Sequence, residues 1–259
     1  MAVATRTITT LSAPFTQAQL STALQTAFTN AGFSSLFDSY TSGTDLILVY
    51  EFVVDASKTF GKTYLRVRIS NTFIIYQQLY ATWNTVSKTG TGSSSEVTYS
   101  TLLNNVNVTF NALNATSETR LILVTQGTTF LPLGMIVPTT MRNSWNLNSY
   151  TNGYIFTSNM MTVLRSSGQT QYSSADNDIA LSGSSRLGTA NVVDNERDVL
   201  SGLILLNQSN TGFAGKTSDD IAVISASGST RYDVILRTGT SQQYLLINNG
   251  SGGLAVRIV

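Results

Sequence analysis

The sequence has no histidine and no cysteine, and only 11% of its 259 residues are charged. Without histidine and cysteine, the chain lacks the side chains most often used for acid–base chemistry, thiol nucleophiles and zinc or copper binding. It also cannot form a disulfide, so its stability must come from a packed core or from subunit contacts. These absences disfavour an enzyme, and we expect no cofactor.

The charges that are present are balanced and dispersed. Fifteen basic and fourteen acidic residues give a net charge of +1, and no basic stripe of the kind that binds nucleic acid occurs. The longest apolar run, 46–54, is interrupted by Glu51 and is far shorter than the roughly 20 residues of a membrane-spanning helix. The first 14 residues lack the continuous apolar stretch of a secretory signal. We therefore expect no nucleic-acid partner and no membrane insertion, and the absence of cysteine fits synthesis in a reducing cytoplasm.

Polarity comes instead from serine, threonine and asparagine, which recur in nearly every segment. A surface of hydroxyls and amides forms hydrogen bonds without strong charge repulsion. Such a surface suits packing against copies of the same chain, against other subunits or against sugars. The composition therefore predicts an assembly or binding protein.

One amphipathic helix is predicted near the N-terminus. Thr16 opens a capping-box sequence, an apolar stripe follows at helical spacing, and Gly32 stands where a left-handed residue ends a helix. The stripe must cover an apolar surface, and two alternatives are open. We favour a sheet of the same domain; in the other alternative the helix docks onto a neighbouring subunit through Leu20, Leu24 and Phe28.

Beyond the helix the apolar period changes from about 3.6 to 2, which indicates strands. Residues 45–55 are apolar on both faces and predict a central strand, whereas residues 64–70 alternate cleanly. Turn residues recur between short strands, which favours antiparallel pairing over crossover helices. The predicted fold is mainly β (α+β), with an antiparallel β-sandwich-like core and one N-terminal amphipathic helix.

The sequence predicts two folded units joined by a polar segment. Serine and glycine accumulate over 165–201, which is too long for an uncommitted loop inside a compact domain. We therefore expect a helix-plus-β domain over 1–164, a linker or long loop over 165–201 and a small β unit of five short strands over 202–259. A unit of that size is marginal alone, which favours packing against the first unit or oligomerisation.

The acidic residues were considered as catalytic or metal-binding groups. Glu51 lies in an apolar strand, where burial would raise the pKa of its carboxyl; we favour an outward-facing edge position or an ion pair with Arg66 or Arg68 on an adjacent strand. Residues 176–178 and 194–198 resemble fragments of calcium loops but lack the EF-hand spacing, and turn residues are favoured. Phosphate-binding and hydrolase motifs are absent from the sequence, and no metal is expected.

The segment 138–156 mixes aromatic rings with amides and one arginine. Such a mixture can stack on sugar faces and bond their hydroxyls, or it can anchor a subunit contact. The candidate glycan or partner contacts are Arg142, Asn143, Trp145, Asn146, Tyr150 and Tyr154. Tyr76, Tyr80 and Trp83 invite the same comparison, but core packing is favoured for them.

The composition, the capped helix and the Ser/Thr/Asn-rich β segments resemble structural proteins of tailed bacteriophages. Segments 127–138 (GTTFLPLGMIVP) and 250–258 (GSGGLAVRI) are typical of that style, which covers the whole chain but carries over no functional residue. The resemblance implies a non-enzymatic virion protein of the tail, baseplate or fibre, which contacts copies of itself and other virion proteins. It also allows recognition of a host-surface glycan.

Three alternatives to that role are open. The first is a carbohydrate-binding module or adhesin that uses the aromatic segment around Trp145. The second is a capsid-decorating protein, which the sequence cannot separate from a tail protein. The weakest is a glycoside-degrading enzyme with two carboxylates.

Overall fold

The computed structural model describes residues 5–34, 36–59, 61–116, 119–137, 139–141, 153–156, 162–165, 178–181, 199–201, 204–207, 213–224, 228–247 and 253–259. Within these residues the helix α1 spans Gln17–Asn30. The strands of the N-terminal half are β1 (Thr5–Leu11), β2 (Leu36–Ser42), β3 (Asp45–Val53), β4 (Lys62–Ile69), β5 (Ile75–Tyr80), β6 (Thr82–Asn84), β7 (Thr89–Thr91), β8 (Val97–Thr98), β9 (Val108–Thr116), β10 (Thr119–Gln126) and β11 (Thr129–Ile136). Those of the C-terminal half are β12 (Thr140–Met141), β13 (Tyr154–Phe156), β14 (Thr162–Arg165), β15 (Asp178–Leu181), β16 (Val199–Ser201), β17 (Ile204–Asn207), β18 (Phe213–Lys216), β19 (Ile221–Ile224), β20 (Val234–Leu236), β21 (Gln243–Leu246) and β22 (Gly253–Arg257).

These strands form three antiparallel sheets and a separate hairpin. The central sheet has the order β1-β9-β10-β11-β13-β14-β15-β17-β18-β12. The helix-side sheet has the order β2-β3-β4-β5-β8, the C-terminal sheet has the order β16-β19-β22-β21-β20, and β6 pairs with β7. The predicted fold class, mainly β with antiparallel sheets and one helix, is confirmed for the described residues.

The central sheet is covered on both faces at β10, because this strand is apolar on both faces. In β10, Ile122 and Val124 point toward the helix-side sheet and α1, and they belong to the largest core cluster. Leu121 and Leu123 point the opposite way and pack against Ile221 and the other apolar residues of the C-terminal sheet. Side chains alternate across a strand, so one strand contributes to two cores. The result is a three-layer arrangement of sheets.

The helix α1 covers the core of its own chain. The Thr16 side chain accepts a hydrogen bond from the Gln19 backbone N–H at 3.2 Å, and the Gln19 side chain accepts one from the Thr16 N–H at 2.8 Å, so the predicted capping box is confirmed. Leu20, Leu24 and Phe28 are fully buried in the core shared by both adjacent sheets. The alternative that these three residues contact a neighbouring subunit is therefore wrong, because their surface is already occupied within the chain.

The strand β3 confirms the predicted central strand. Leu48, Tyr50 and Phe52 point into the core beneath α1. Ile47 and Val49 alternate with them and are buried on the opposite face of the same sheet. The strand lies between β2 and β4, so both of its edges are hydrogen-bonded.

The predicted domain boundaries differ from the observed topology. The range 165–201 contains the strands β15 and β16, and the rest of it, apart from Arg165, lies outside the described residues. In the predicted C-terminal unit, β17 and β18 pair within the central sheet. Leu245 and Ile247 of that unit share a core with Leu121 of the first. The two predicted units therefore pack on each other, and independent folding of 202–259 stays a prediction.

Candidate functional site

The predicted contact segment around Trp145 is only partly described. Arg142, Asn143, Trp145, Asn146 and Tyr150 lie outside the described residues, so their role stays a prediction. Tyr154 lies in β13 and is fully buried, in the cluster that joins the central and C-terminal sheets. Its ring therefore packs in the core and does not reach a surface where a glycan or a partner subunit could bind.

Polar and aromatic side chains converge on the outer face of the helix-side sheet, which is the face turned away from α1. The register places Arg66 opposite Gln78 and Arg68 opposite Tyr76 on adjacent strands. Five of the six ion pairs found among the described residues lie on this outer face or at its rim. The few charges of the chain are thus concentrated and paired here.

Arg68 is the centre of this ionic network. Its guanidinium donates to Asp45 at 2.9 Å and to both oxygens of Glu96, which also accepts a bond from Arg66 at 3.0 Å. The guanidinium lies 3.4 Å from the centroid of the Tyr76 ring. The hydrogen bonds to Glu96 raise the pKa of Arg68, although burial opposes them. Arg68 is therefore a fixed cation whose donors are already engaged.

Glu51 forms a different pair from the one predicted. Its carboxylate accepts hydrogen bonds from Lys62 Nζ at 3.1 Å and from the Tyr64 hydroxyl at 2.9 Å. Burial, helped by Glu51, raises the pKa of Tyr64 to about 12. Glu51 does occupy an ion pair, but the expected partners Arg66 and Arg68 were wrong because they bind other carboxylates.

The hairpin β6–β7 is attached to the outer face through one carboxylate. Asp38 accepts hydrogen bonds from the Trp83 indole N–H at 2.9 Å and from Lys88 Nζ. The Trp83 ring also contacts the rings of Tyr80 and Tyr40, with centroids 5.2 and 6.4 Å apart. Tyr80 and Trp83 are half-buried and pack against the cluster of Ile47, Val49 and Tyr64, so the packing expected for them is found on the outer face of the sheet and not in the core.

The Asp38 carboxyl links the position of this hairpin to pH. Burial alone would raise the pKa of Asp38, but the hydrogen bonds from Lys88 and Trp83 together outweigh burial and hold the pKa below its ordinary value. A carboxyl with a lowered pKa in the folded state stabilises that state above its unfolded pKa of about 3.9, and the contribution is lost as the pH falls through the folded pKa. Acid is therefore expected to release the hairpin.

We expect Asp38→Ala to release the hairpin at neutral pH. In a Trp145→Phe background, which leaves Trp83 as the one remaining tryptophan, the fluorescence of Trp83 should be red-shifted at pH 7 in Asp38→Ala. In the background protein the same shift should appear only in acid, below about pH 4. Asp55→Ala is the control, because the Asp55 carboxylate accepts hydrogen bonds only from Ser57, within its own turn. An unchanged Trp83 spectrum in Asp38→Ala would contradict this role.

The tip of the hairpin is held in a defined conformation. The Asn84 side-chain oxygen accepts hydrogen bonds from the backbone N–H groups of Val86 and Ser87, at 2.8 and 3.0 Å. A Cβ atom at Gly90 would lie 2.4 Å from the Tyr80 ring, so only glycine lets the hairpin approach so closely. Val86 is 90% exposed at the tip. The hairpin therefore presents one apolar side chain on an ordered turn.

Terminal strands of the sheets carry exposed apolar side chains, and β1 and β20 carry the most exposed of them. In the described part of the chain, β1 is the last strand of the central sheet and carries Ile8, which is 55% exposed. The strand β20 ends the C-terminal sheet and carries Val234 and Leu236, which are 46% and 58% exposed. Edge strands offer unpaired backbone groups to a further strand. The edge at β1 was missed in the sequence, because its two apolar residues, Ile8 and Leu11, are three positions apart and show no period of 2.

The described residues were compared with two requirements, one for a metal-binding cluster and one for a membrane-spanning helix, and they meet neither. They contain no group of three acidic side chains that could hold a metal. Of the two acidic segments considered as calcium loops, only Asp178, at the start of β15, is described. In the same part of the chain, no helix has the length and hydrophobicity that crossing a membrane requires.

No protein-family model matches the sequence, and no curated protein is significantly similar to it. The function is therefore inferred from the surfaces of the molecule itself.

Proposed function

We propose that the chain is a non-enzymatic virion structural protein, of the tail, baseplate or fibre kind found in tailed bacteriophages. It acts through contacts with copies of itself and with other virion proteins, and it resides in the virion after synthesis in the host cytoplasm. The subunit-contact part of the proposal is carried by the edge of β1. The virion part is supported by the low charge, the hydroxyl- and amide-rich composition and the resemblance in style.

The strand β1 lacks the devices that usually protect a sheet edge. Edge strands commonly carry lysine, proline or a bulge that prevents a further strand from pairing. The seven residues of β1 pair with β9 without a register shift, and they include neither lysine nor proline. Its one charged residue, Arg6, is engaged with the Asn111 side-chain oxygen at 2.7 and 3.1 Å. A strand from another subunit could therefore extend the central sheet at this edge.

The edge of the C-terminal sheet supports a second contact. Val234 lies opposite Leu245, and Leu236 lies opposite Gln243, on adjacent antiparallel strands. Leu245 is fully buried in the core between the sheets, so the exposed Val234 and Leu236 extend that apolar face outward. Two separate edges let one subunit contact two different neighbours, as a multi-copy assembly requires.

We expect Ile8→Lys to weaken self-association. A lysine on the edge strand opposes strand addition by its charge and its solvation, and the association constant should fall about tenfold or more. Sedimentation velocity over a concentration series measures this change. Val86→Lys is the matched control, because it introduces the same charge at a more exposed apolar position on the hairpin tip.

Two results would count against the proposed function. The first is an equal association constant for the parent and both variants, which would show that the edge of β1 is not part of the interface. The second is a monodisperse parent monomer with no affinity for other particle proteins, which would contradict any role in subunit contact.

Carbohydrate binding is a second candidate function, favoured by one observation. The half-buried rings of Tyr40, Tyr76 and Trp83 lie on one sheet face with arginines that are paired to carboxylates, and Arg68 covers the ring of Tyr76. Aromatic faces beside fixed hydrogen-bonding groups can bind sugar rings. Glycan-array binding by an isolated monomer would favour this candidate over subunit contact alone.

A further inference from the structure

A pocket of about 370 Å³ lies between the turn that joins β10 to β11 and the turn that precedes β20. It is lined by Gly127, four threonines, Arg231 and Tyr232. The two turns are about 100 residues apart in the sequence and come from different sheets. None of the lining residues is acidic, and most of them can donate hydrogen bonds.

Arg231 differs from the arginines of the outer face because not all of its N–H groups have a hydrogen-bond acceptor. Its guanidinium lies 4.3 Å from the centroid of the Phe130 ring, which holds it by a cation–π contact. Its Nε atom is buried and has no hydrogen-bond partner, and Arg231 forms no ion pair with any described residue. A buried N–H of a cation without an acceptor is costly, so an acceptor from outside the chain would stabilise it.

Tyr232 adds a second unsatisfied donor beside Arg231. Its hydroxyl is buried near Thr125 but makes no hydrogen bond of good geometry. Burial raises the pKa of this phenol, with Arg231 opposing it only in part, so the hydroxyl keeps its proton near neutral pH. The backbone of Tyr232 has φ +74°, a left-handed conformation that is costly for a residue with a side chain. This strain turns the chain so that both side chains line the pocket.

The nearby charges leave Arg231 available. The adjacent carboxylate, Asp233, accepts bonds from the Thr230 N–H and the Thr230 hydroxyl, both at 2.7 Å. Arg6 adds a second positive charge, since it interacts electrostatically with Tyr232. The pocket therefore combines positive potential with donors that lack acceptors.

We propose that this pocket binds an oxyanion, either the carboxylate of an acidic sugar or a sulfate or phosphate group. Arg231 would supply charge-assisted hydrogen bonds, and the Tyr232 hydroxyl and the threonine hydroxyls would complete the coordination. The inference does not rest on the proposed virion role, because the pocket is formed within a single chain.

The proposal is tested by titrating the full chain separately with glucuronate, inorganic sulfate and inorganic phosphate. Calorimetry or NMR measures the binding. At least one of these anions should bind saturably, and neutral glucose should not. Arg231→Gln should weaken the binding about tenfold or more, because it removes the charge and its donors. Arg237→Gln is the matched control, because Arg237 lies nearby in the chain but bonds to Gln242 and does not line the pocket.

The outcomes show whether the pocket binds an oxyanion at all and, if it does, which kind of oxyanion it prefers. Preference for glucuronate would identify an acidic sugar, and preference for sulfate or phosphate would identify an ester or a free anion; either supports the proposal. If Arg231→Gln lowers the melting temperature sharply, Tyr232→Phe removes only the unpaired hydroxyl and should still weaken binding severalfold. Absence of saturable binding, equal weakening in Arg237→Gln, or unchanged affinity in both pocket variants would overturn the proposal.

Discussion

Phe28→Ala is expected to lower the free energy of unfolding by about 3–5 kcal/mol. Phe28 is fully buried, stacks on Tyr50 with ring centroids 4.3 Å apart and meets Phe33 edge-on at 5.1 Å. Truncation removes its dispersion contacts and leaves a cavity between α1 and the helix-side sheet, which the surrounding strands cannot fill without breaking their pairing. Urea denaturation followed by circular dichroism measures the loss, with an unchanged m-value.

The control for this prediction is Thr26→Ala, two residues earlier on the exposed side of the same helix. Its hydroxyl bonds only to the Thr22 carbonyl, so the change should stay within about 0.5 kcal/mol. A loss in Phe28→Ala as small as that of the control, together with dissociation of an oligomer, would contradict the intrachain position of Phe28.

Gln77→Ala is expected to lower the free energy of unfolding by about 3–5 kcal/mol, because it leaves the buried Gly134 N–H without its acceptor, removes a donor from the Tyr99 hydroxyl and opens a cavity between the sheets. The Gln77 side chain is fully buried between two sheets. It donates to the Tyr99 hydroxyl at 2.7 Å and accepts from the Gly134 N–H at 2.8 Å. The Tyr99 hydroxyl in turn lies 2.9 Å from the Pro132 carbonyl and 2.8 Å from the Phe156 carbonyl, and its single proton is donated to one of them at a time. One amide therefore holds the helix-side sheet against β11 and β13 of the central sheet.

The adjacent residue provides the control for Gln77. Gln78 lies on the outer face and donates to the Ser94 carbonyl at 2.8 Å, where water can replace the lost partner. Gln78→Ala should therefore cost about 1 kcal/mol. Thermal or urea unfolding of both variants distinguishes the two positions, and equal losses would contradict the bridging role of Gln77.

The elements that could be predicted from the sequence are those specified by neighbouring residues. The capping box at Thr16 and the apolar stripe of α1 lie within a few turns, so local spacing was sufficient. The strand β3 was predicted because it is apolar on both faces over nine residues. Antiparallel pairing was predicted because the segments between successive strands are short in sequence and contain turn residues.

The features that were missed depend on pairing between distant segments. The edge at β1 exists because β1 pairs with β9, about 100 residues away, and leaves its other side open. Glu51 binds Lys62 and Tyr64 because the register of β3 against β4 places Tyr64 directly opposite it, which no local pattern shows. The unsatisfied donor on Arg231 likewise depends on a turn that packs against Phe130 from another sheet.

Two residues of the same type can also have different roles that only the folded chain shows. Gln77 and Gln78 are adjacent and chemically identical, yet one is fully buried and the other lies on the outer face. They differ because side chains alternate between the two faces of β5, and only the folded chain shows which face lies against the core. For the Trp145 segment, only Tyr154 is described, and its complete burial could not be read from the aromatic composition of that segment.

Size-exclusion chromatography with light scattering, across the micromolar range, tests the subunit-contact account most directly. The chain has a mass of 27.9 kDa, and the account predicts a particle mass that is a multiple of this value and decreases on dilution or in Ile8→Lys. A mass of 27.9 kDa at every concentration, with no co-elution with other virion proteins, would contradict the account.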